Sequence, residues 1–426
     1  MSYNRFTRPI ILLILVIFFF FVPSFFPQRD KTNQDVCGIE EISCSTIPNE
    51  LDGIQLDLGK ILANIKSAIG ISIKSFDSSY YTNELGFHIT RLTSEEYKQS
   101  LLSKWEKYFT STSSSSSEAG VEDVLSYLSF IPRPKSMIPT NIYTTSMEET
   151  DKLPDQFQSW TKENSDWMTR FVDDQGIDEW LEDLLPSTEV VKHMKWLKDG
   201  GKWGVVRSDL FRYLVLLLNG GVYTDTDTAC VRPISEWGKN AIKHNSINPL
   251  IEALPQLISL SNQNHLYNID SPIEDDSPSL IVALEIDSPA SGSDWRSETF
   301  VRGIQIVQWT IAAKKGHPVF LDVIGHALDK VQELREVEEK GWENDDLQDI
   351  LEWSGPGAFT DAVFRYLLVR YGFHPNQVSG LNRPLRVGDV LIMPEQSFRA
   401  DASEGYQGDD KVVWHGFFGR WKSDKN

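Results

Sequence analysis

The sequence predicts an α/β fold, in which helices pack against a β-sheet. Three stretches of the 426-residue chain support this prediction. Asp209–Pro233 has the pattern of a helix, a Gly-Gly turn and a strand. Ile138–Arg207 fits a β-α-β unit that leads into that helix. Leu280–Asp287 is an apolar run typical of a central strand that is covered on both faces.

The central stretch combines an apolar helix with a pair of aspartates. Asp209 and Arg212 are three residues apart, which predicts that their side chains share one face of the helix. Residues 219–221, Asn-Gly-Gly, tolerate positive φ and are predicted to end it. In the strand that follows, alternation predicts that Asp225 and Asp227 point the same way, about 6.5–7 Å apart. Two carboxylates on one strand face suit a hard divalent cation.

The sequence Asp225-Thr226-Asp227 has three interpretations. A D-x-D alone can be no more than a solvated strand end. A phosphatase-type D-x-D-x-T would make the first aspartate a nucleophile, but Ala229 stands at the fifth position, and no long apolar strand runs directly into Asp225. In nucleotide-sugar transferases, the D-x-D pair binds a metal on the donor diphosphate. The helix, the two glycines and the strand around the motif favour this third interpretation.

SDLFRY followed by GGVYTDTD resembles glycosyltransferase family 32, and within it the fungal Golgi α-1,6-mannosyltransferases that start the outer chain of N-glycans. The resemblance covers about residues 138–422, and its motif blocks stand in the family order. The other blocks are IPTNIYTTSM, LIVALEID, RGIQIVQWT with a later GHP, WSGPGAFTDAVFRYL and the C-terminal HGFFGRW. The resemblance implies a GT-A-like domain, which is a mostly parallel sheet flanked by helices with its ligand at the strand carboxyl ends.

The resemblance also implies a metal-dependent, retaining glycosyltransferase that moves mannose from GDP-mannose to an N-linked glycan through an α-1,6 linkage. Asp225 and Asp227 are the expected catalytic residues, and with His415 they are the expected metal ligands. Two carboxylates and an imidazole suit Mn²⁺ better than Ca²⁺. The residues expected to bind the donor are Asp209, Arg212, Asp287, Gln308 and Arg420.

Two other functions stay open. A related enzyme could mannosylate inositol-phosphoceramide, although IQIVQWT and WSGPG look more like the N-glycan branch. The chain could also be a non-catalytic subunit of a mannan polymerase complex, against which intact Asp225, Asp227 and His415 argue. As a catalytic subunit it could still belong to a mannosyltransferase complex. The net charge of −20 makes nucleic acid a poor partner.

The N-terminus predicts a membrane anchor. Pro9–Pro27 is an apolar run about as long as the shortest spanning helices. A signal peptide is the alternative, but no small-residue cleavage site follows the run. Arg5 and Arg8 precede it, which predicts a single-pass type II protein with its catalytic domain in the lumen. The family resemblance implies that the membrane is that of the Golgi.

Three regions are therefore expected: a cytoplasmic tail and signal-anchor helix at 1–27, a stem at 28–130 and the catalytic domain at 131–426. Helical periodicity within the stem predicts helices over Leu51–Ile65 and Ser94–Phe109.

The chain has three cysteines. Cys37 and Cys44 are close in sequence and could pair in an oxidising lumen. Cys230 adjoins the D-x-D motif and is expected to be a buried thiol.

Overall fold

The structure of the chain is a computed structural model. It describes residues 58–111, 117–128, 136–146, 153–199, 203–244, 277–298, 300–340, 350–399 and 411–417. The predicted tail and anchor, Cys37, Cys44 and Arg420 lie outside these ranges. Within them, no helix is long and apolar enough to cross a membrane. The chain divides into two compact units, Met1–Ala63 and Asn64–Asn426, and the second contains the D-x-D motif.

Helices and strands are interspersed along the described ranges after an initial run of four helices. The α-helices of the described ranges are α1 (Leu58–Ser75), α2 (Ser78–Leu85), α3 (Ser94–Phe109), α4 (Ser117–Ser126), α5 (Gln158–Glu163), α6 (Asp174–Leu184), α7 (Glu189–Asp199), α8 (Gly204–Leu218), α9 (Ser288–Ser291), α10 (Pro318–Glu339), α11 (Ile350–Trp353), α12 (Pro356–Tyr371) and α13 (Glu395–Phe398). The strands are β1 (Asn141–Thr145), β2 (Met168–Val172), β3 (Gly221–Thr224), β4 (Thr228–Cys230), β5 (Ile242–Lys243), β6 (Leu280–Asp287), β7 (Ile304–Ile306), β8 (Thr310–Ala313), β9 (Leu385–Val387), β10 (Val390–Met393) and β11 (Val413–His415).

Nine of the described strands form one sheet. Its order is β2-β1-β3-β8-β6-β10-β9-β5, and β7 pairs with β6 beside this path. β1 runs parallel to β2 and β3, and β6 runs parallel to β10. Because β8 is antiparallel to both β3 and β6, those two strands also point the same way. Five strands, β1, β2, β3, β6 and β10, thus share one direction, which confirms the α/β prediction and the parallel arrangement of the principal strands.

The sheet is mixed rather than wholly parallel. β8 runs against its neighbours in the middle of the sheet, β7 is antiparallel to β6, and β9 is antiparallel to β10. The sequence analysis did not predict these antiparallel strands. The carboxyl ends of β1, β3 and β6 nevertheless meet at one edge, where ligands bind in open α/β sheets.

Helix α8 lies in the core behind this edge. Every residue from Asp209 to Leu217 is buried. A helix that is apolar on nearly all sides must be covered on all sides, and α7, α10 and β3 cover it. The helix predicted from the apolar run is confirmed.

The Gly-Gly turn between α8 and β3 depends on both glycines. Gly220 and Gly221 have φ values of +68° and +114°, which other residues rarely adopt. A Cβ atom at Gly221 would lie 2.6 Å from the carbonyl oxygen of Asn141, and one at Gly220 would lie 2.6 Å from the amide nitrogen of Lys315. The turn therefore brings the chain into the sheet between its neighbours without a steric clash.

Part of the predicted stem belongs to the same unit as the D-x-D motif. Helix α3 has the predicted bounds Ser94–Phe109 and packs against α10. Lys104 Nζ donates to Asp322 Oδ1 at 2.5 Å, and Arg365 Nη1 donates to Asp322 Oδ2 at 2.5 Å. One buried carboxylate therefore joins α3, α10 and α12. The boundary at residue 130 stays a prediction.

Candidate active site

The first part of the site is a buried ion pair on α8. Arg212 Nη1 donates to Asp209 Oδ1 at 2.6 Å, and the two side chains are 6% and 5% exposed. Asp209 also accepts a hydrogen bond from the Gln308 amide at 2.6 Å and another from the Ser354 hydroxyl at 2.9 Å. Burial raises the pKa of Asp209, and the charge of Arg212 acts against that rise. A buried pair persists when other hydrogen bonds satisfy it, as they do here, so Arg212 is held in one orientation. The predicted shared face is confirmed.

Arg212 also reaches the first aspartate of the motif. Its Nη2 atom donates to Asp225 Oδ1 at 3.2 Å, and the hydroxyl of Tyr223 donates to the same oxygen at 2.8 Å. Burial, reinforced by the Asp225 charge, raises the pKa of Tyr223 well above its usual value, so the phenol stays a donor. The Asp225 side chain is 31% exposed. With both contacts on Oδ1, its Oδ2 atom is left for a ligand.

The D-x-D motif does not lie within a strand, so the prediction that both carboxylates share a strand face is wrong. Strand β3 ends at Thr224 and β4 begins at Thr228. Between them the chain turns, and Thr228 donates to the Asp225 carbonyl oxygen from its amide at 3.3 Å and from its hydroxyl at 2.7 Å. These bonds close the turn, and the two aspartates contact different partners.

The second aspartate contacts the C-terminal segment. Strand β11 pairs antiparallel with β4, with His415 opposite Thr228. His415 Nε2 lies 3.3 Å from Asp227 Oδ1, and Gly416 donates its amide hydrogen to the Asp227 carbonyl oxygen at 2.8 Å. The structure therefore brings together two residues that the sequence separates widely.

Trp309 connects the two halves of the motif. Its carbonyl oxygen accepts the amide hydrogen of Asp225 at 2.9 Å. Its ring stacks on the imidazole of His415, with centroids 4.1 Å apart and an interplanar angle of 15°. Phe417 packs edge-on against the same imidazole at 3.9 Å. His415 is thus fixed between two aromatic rings while its Nε2 atom faces Asp227.

The residues around the motif fit a divalent cation only in part. Asp225 Oδ2, the Asp227 carboxylate and an imidazole are suitable ligand types. Of the two ring nitrogens of His415, Nε2 is the one that faces Asp227 and could share a cation with it. In the described ranges, however, no three acidic, histidine or cysteine side chains are close enough to hold one ion. A cation here would need water or donor oxygens to complete its coordination.

Two residues predicted to bind the donor lie apart from this network or outside the described ranges. Asp287 accepts hydrogen bonds from Ser379 at 3.0 Å, from the Gly380 amide at 2.6 Å and from the Ala290 amide at 3.3 Å. These bonds make it the N-cap of α9 and an anchor for a distant loop. Arg420 is outside the described ranges.

Three contributing residues were not predicted. Tyr223 precedes Asp225 by two positions, so strand alternation was a usable signal for it. Ser354 binds Asp209 from the WSGPG block, and nothing local in the sequence indicates that contact. Glu285 interrupts the apolar β6 strand and accepts a hydrogen bond from Gln305 at 2.8 Å, and burial raises its pKa. A carboxylate within an apolar run was the signal for it.

Cys230, next to the motif on β4, is a buried free thiol as predicted. Burial raises its pKa to about 12, so it stays protonated and unreactive.

Comparison with known proteins bears on this site. Residues 150–244 match the family described as a glycosyltransferase sugar-binding region containing a DXD motif. The chain is similar to the initiation-specific α-1,6-mannosyltransferase of Candida albicans, with 28% identity over 67% of this chain and 72% of that protein. It is 25% identical to the Saccharomyces cerevisiae protein of the same name, over 83% of this chain and 92% of that one.

One solved structure, PaToxG glycosyltransferase, aligns with a TM-score of 0.31 and 13% identity over 64% of this chain and 81% of that chain. The matched DXD region and the named relatives agree with each other and confirm the resemblance to glycosyltransferase family 32. The chain is a glycosyltransferase that carries the DXD-containing sugar-binding region.

Proposed function

We propose that the chain transfers mannose from GDP-mannose to an N-linked glycan and forms an α-1,6 linkage. The observation that carries this proposal is the network in which Arg212 joins Asp209 to Asp225 at the carboxyl edge of the sheet, within the matched DXD region. The names of the two relatives supply the sugar and the linkage. The order of the principal strands supports a GT-A-like domain as the scaffold.

Each side chain of the network has a role in this proposal. Arg212 is buried and held by Asp209, so it presents a fixed positive charge beside Asp225 and counters the charge of a donor phosphate. Asp209 bonds to Arg212 and orients it, and Gln308 bonds to Asp209. The mannose hydroxyls are the proposed ligands of Asp209 and Gln308. Preorganised charge of this kind lowers the barrier because no reorganisation is needed during reaction.

A divalent cation, Mn²⁺ in our proposal, would be held at the D-x-D turn by Asp225, Asp227 and His415, directly or through water, and would offset charge on the departing diphosphate. Since Asp225 Oδ1 is engaged by Arg212 and Tyr223, its Oδ2 atom is the proposed ligand. Trp309 holds His415 flat against its ring and so limits the directions in which the imidazole can point.

The proposed reaction retains the configuration of the mannose. Asp209 and Asp225 are both engaged by Arg212, and no paired nucleophile and acid carboxylates were recognised in the sequence. We therefore favour front-side attack, in which the acceptor oxygen bonds to the anomeric carbon while the bond to the diphosphate breaks. The departing diphosphate takes the acceptor proton.

The N-terminal apolar run bears on where the protein is located in the cell. We propose a single-pass type II protein of the Golgi membrane with its catalytic domain in the lumen. The apolar run Pro9–Pro27 and the preceding arginines support this orientation.

The test of the function is a transfer assay with the full-length chain in detergent. The full chain is needed because Lys104, which precedes residue 131, is bonded to Asp322. The chain is supplied with Mn²⁺, with an N-glycan or inositol-phosphoceramide as acceptor, and with GDP-mannose, UDP-glucose or UDP-galactose as donor. The product linkage is read by NMR. We expect an α-1,6-mannosyl product from GDP-mannose alone. Transfer only from a UDP-sugar, or only to inositol-phosphoceramide, would contradict the proposal.

A further inference from the structure

The D-x-D turn separates two groups of side chains. Asp225 contacts Arg212, which belongs to the buried polar network on α8. Asp227 contacts His415, which belongs to an aromatic group formed with Trp309 and Phe417. A transferase must hold a donor and an acceptor on adjoining sides of one reacting carbon. The polar group has the charge to take the donor phosphate, and Asp227 and His415 are the proposed metal ligands. The exposed part of the aromatic group, beyond His415, is left for another ligand.

Phe417 is the exposed member of that aromatic group. It is 52% exposed, although its ring packs against His415 at 3.9 Å and lies 6.2 Å from the ring of Trp309. Its backbone φ is +50°, a region that costs free energy for a residue with a bulky side chain. Strained residues cluster at binding and catalytic sites, where the surrounding structure maintains them. Here β11 and the Gly416–Asp227 hydrogen bond hold the chain up to the residue before it.

A charged side chain lies over the Phe417 ring. The guanidinium carbon of Arg399 is 5.5 Å from the ring centroid. Arg399 is itself held by Glu395 at 3.0 Å and by the carbonyl oxygen of Glu285 at 3.4 Å. Its side chain is 35% exposed, so it keeps access to solvent. A flat apolar ring next to a fixed set of N–H donors matches a hexose, which has an apolar C–H face rimmed by hydroxyl groups.

We propose that Phe417 and Arg399 form the platform for the acceptor glycan, with the ring under a mannose residue and the guanidinium bonded to its hydroxyl groups. This inference rests on the proposed function and assigns its acceptor side. Trp309 and His415 pack edge-on against the ring, and the contact of His415 with Asp227 places the platform next to the D-x-D turn.

The first test measures binding and needs no turnover. Saturation-transfer NMR is recorded for an α-linked mannotriose with the full-length chain in detergent, without donor or metal. We expect transfer to the mannotriose from the wild type and from Phe417→Trp, and a loss of it for Phe417→Ala. Met168→Ala is the matched control, since Met168 is a similarly exposed apolar residue, at 55%, on β2. Equal signals from the wild type and Phe417→Ala, or no signal from the wild type, would overturn the proposal.

The second test separates the acceptor from the donor. Phe417→Ala is expected to raise the KM for the glycan acceptor about tenfold, which is the effect of losing one aromatic stacking contact. The KM for GDP-mannose should rise less than the KM for the acceptor, and Phe417→Trp should restore the acceptor KM. A raised donor KM with an unchanged acceptor KM would mean that the ring covers the donor, and would overturn the proposal. A failure of the proposed function can be told apart from a failure of this inference. In the first case the wild type would not use GDP-mannose, and the NMR test would still measure whether Phe417 binds the mannotriose.

Discussion

Asp227 and His415 face each other across the junction of β4 and β11, with His415 Nε2 3.3 Å from Asp227 Oδ1. The two residues are far apart in the sequence, and the pairing of β4 with β11 brings them together. Because Gly416 also bonds to the Asp227 carbonyl oxygen, the C-terminal segment fixes the backbone of the motif as well as its side chain. The final described strand is therefore part of the candidate active site.

Asp225→Ala or Asp227→Ala should abolish transfer, with a fall of at least about a thousandfold in rate. The fold should survive, because Asp225 is partly exposed and Arg212 keeps Asp209 as a partner. Assays at saturating Mn²⁺ should be paired with melting curves of the same proteins. A variant that transfers mannose at a near-wild-type rate would remove its aspartate from the mechanism.

His415→Ala should lower the affinity for Mn²⁺ by about tenfold to a hundredfold, the range for losing one supporting ligand. Excess Mn²⁺ should partly restore the rate, since two carboxylates remain, and Asp225→Ala should be rescued less. The measurement is a Mn²⁺ titration of activity, together with melting temperatures with and without the metal. If His415 only packs against Trp309, the melting temperature of the variant will fall by the same amount with and without Mn²⁺. The Mn²⁺ dependence of its activity will then not change.

Asp209→Ala should destabilise the chain by about 3 kcal/mol, because it removes the nearest charge from a buried guanidinium. Ser354→Ala is the matched control, since it removes one hydrogen bond from the same carboxylate and should cost about 1 kcal/mol. Denaturant unfolding gives both values, and the KM for GDP-mannose should rise for Asp209→Ala more than for Ser354→Ala. Equal stability losses in the two variants would show that the ion pair is not what holds Arg212.

Asp322→Asn should lower the stability of the protein, because it weakens the ion pairs that join α3, α10 and α12. The size of this stability loss should depend on pH. Burial alone would raise the pKa of Asp322, but the charges of Arg365 and Lys104 outweigh it and hold the pKa well below the ordinary value. A carboxylate with a depressed folded-state pKa stabilises the protein above its unfolded-state pKa, near 4, and loses that contribution as pH falls. The free energy of unfolding of the wild type should therefore be about 3 kcal/mol higher than that of the variant at pH 7.

That advantage should be unchanged at pH 5.5 and should shrink below about pH 4. Urea unfolding at several pH values measures it. Asp329→Asn is the control, since Asp329 pairs with Lys107 in the same region but is about half exposed and should cost less than about 1 kcal/mol. A stability difference that grew as pH fell would contradict a lowered pKa for Asp322 in the folded protein.

The sequence was informative where the relevant pattern is local. The Asp209–Arg212 spacing and the Asn-Gly-Gly turn followed from the helical repeat and from allowed φ, and α3 followed from its apolar period. The strand across Asp225 and Asp227 was a wrong prediction, because β-branched residues favour strands but do not reveal where the chain leaves one sheet for another. The antiparallel β8 and the Ser354–Asp209 bond depend on long-range packing, which no local spacing encodes.

The most direct test of the central claim is calorimetric titration of GDP-mannose into the full-length chain in detergent, with and without Mn²⁺. We expect tight binding only with Mn²⁺. Asp225→Asn and Asp227→Asn should each weaken it by at least about tenfold, while Asp329→Asn, which alters a remote carboxylate, should bind as the wild type does. If GDP-mannose bound with equal affinity in the absence of metal, or if the two motif variants bound it as the wild type does, the D-x-D turn would not be the site of the donor diphosphate.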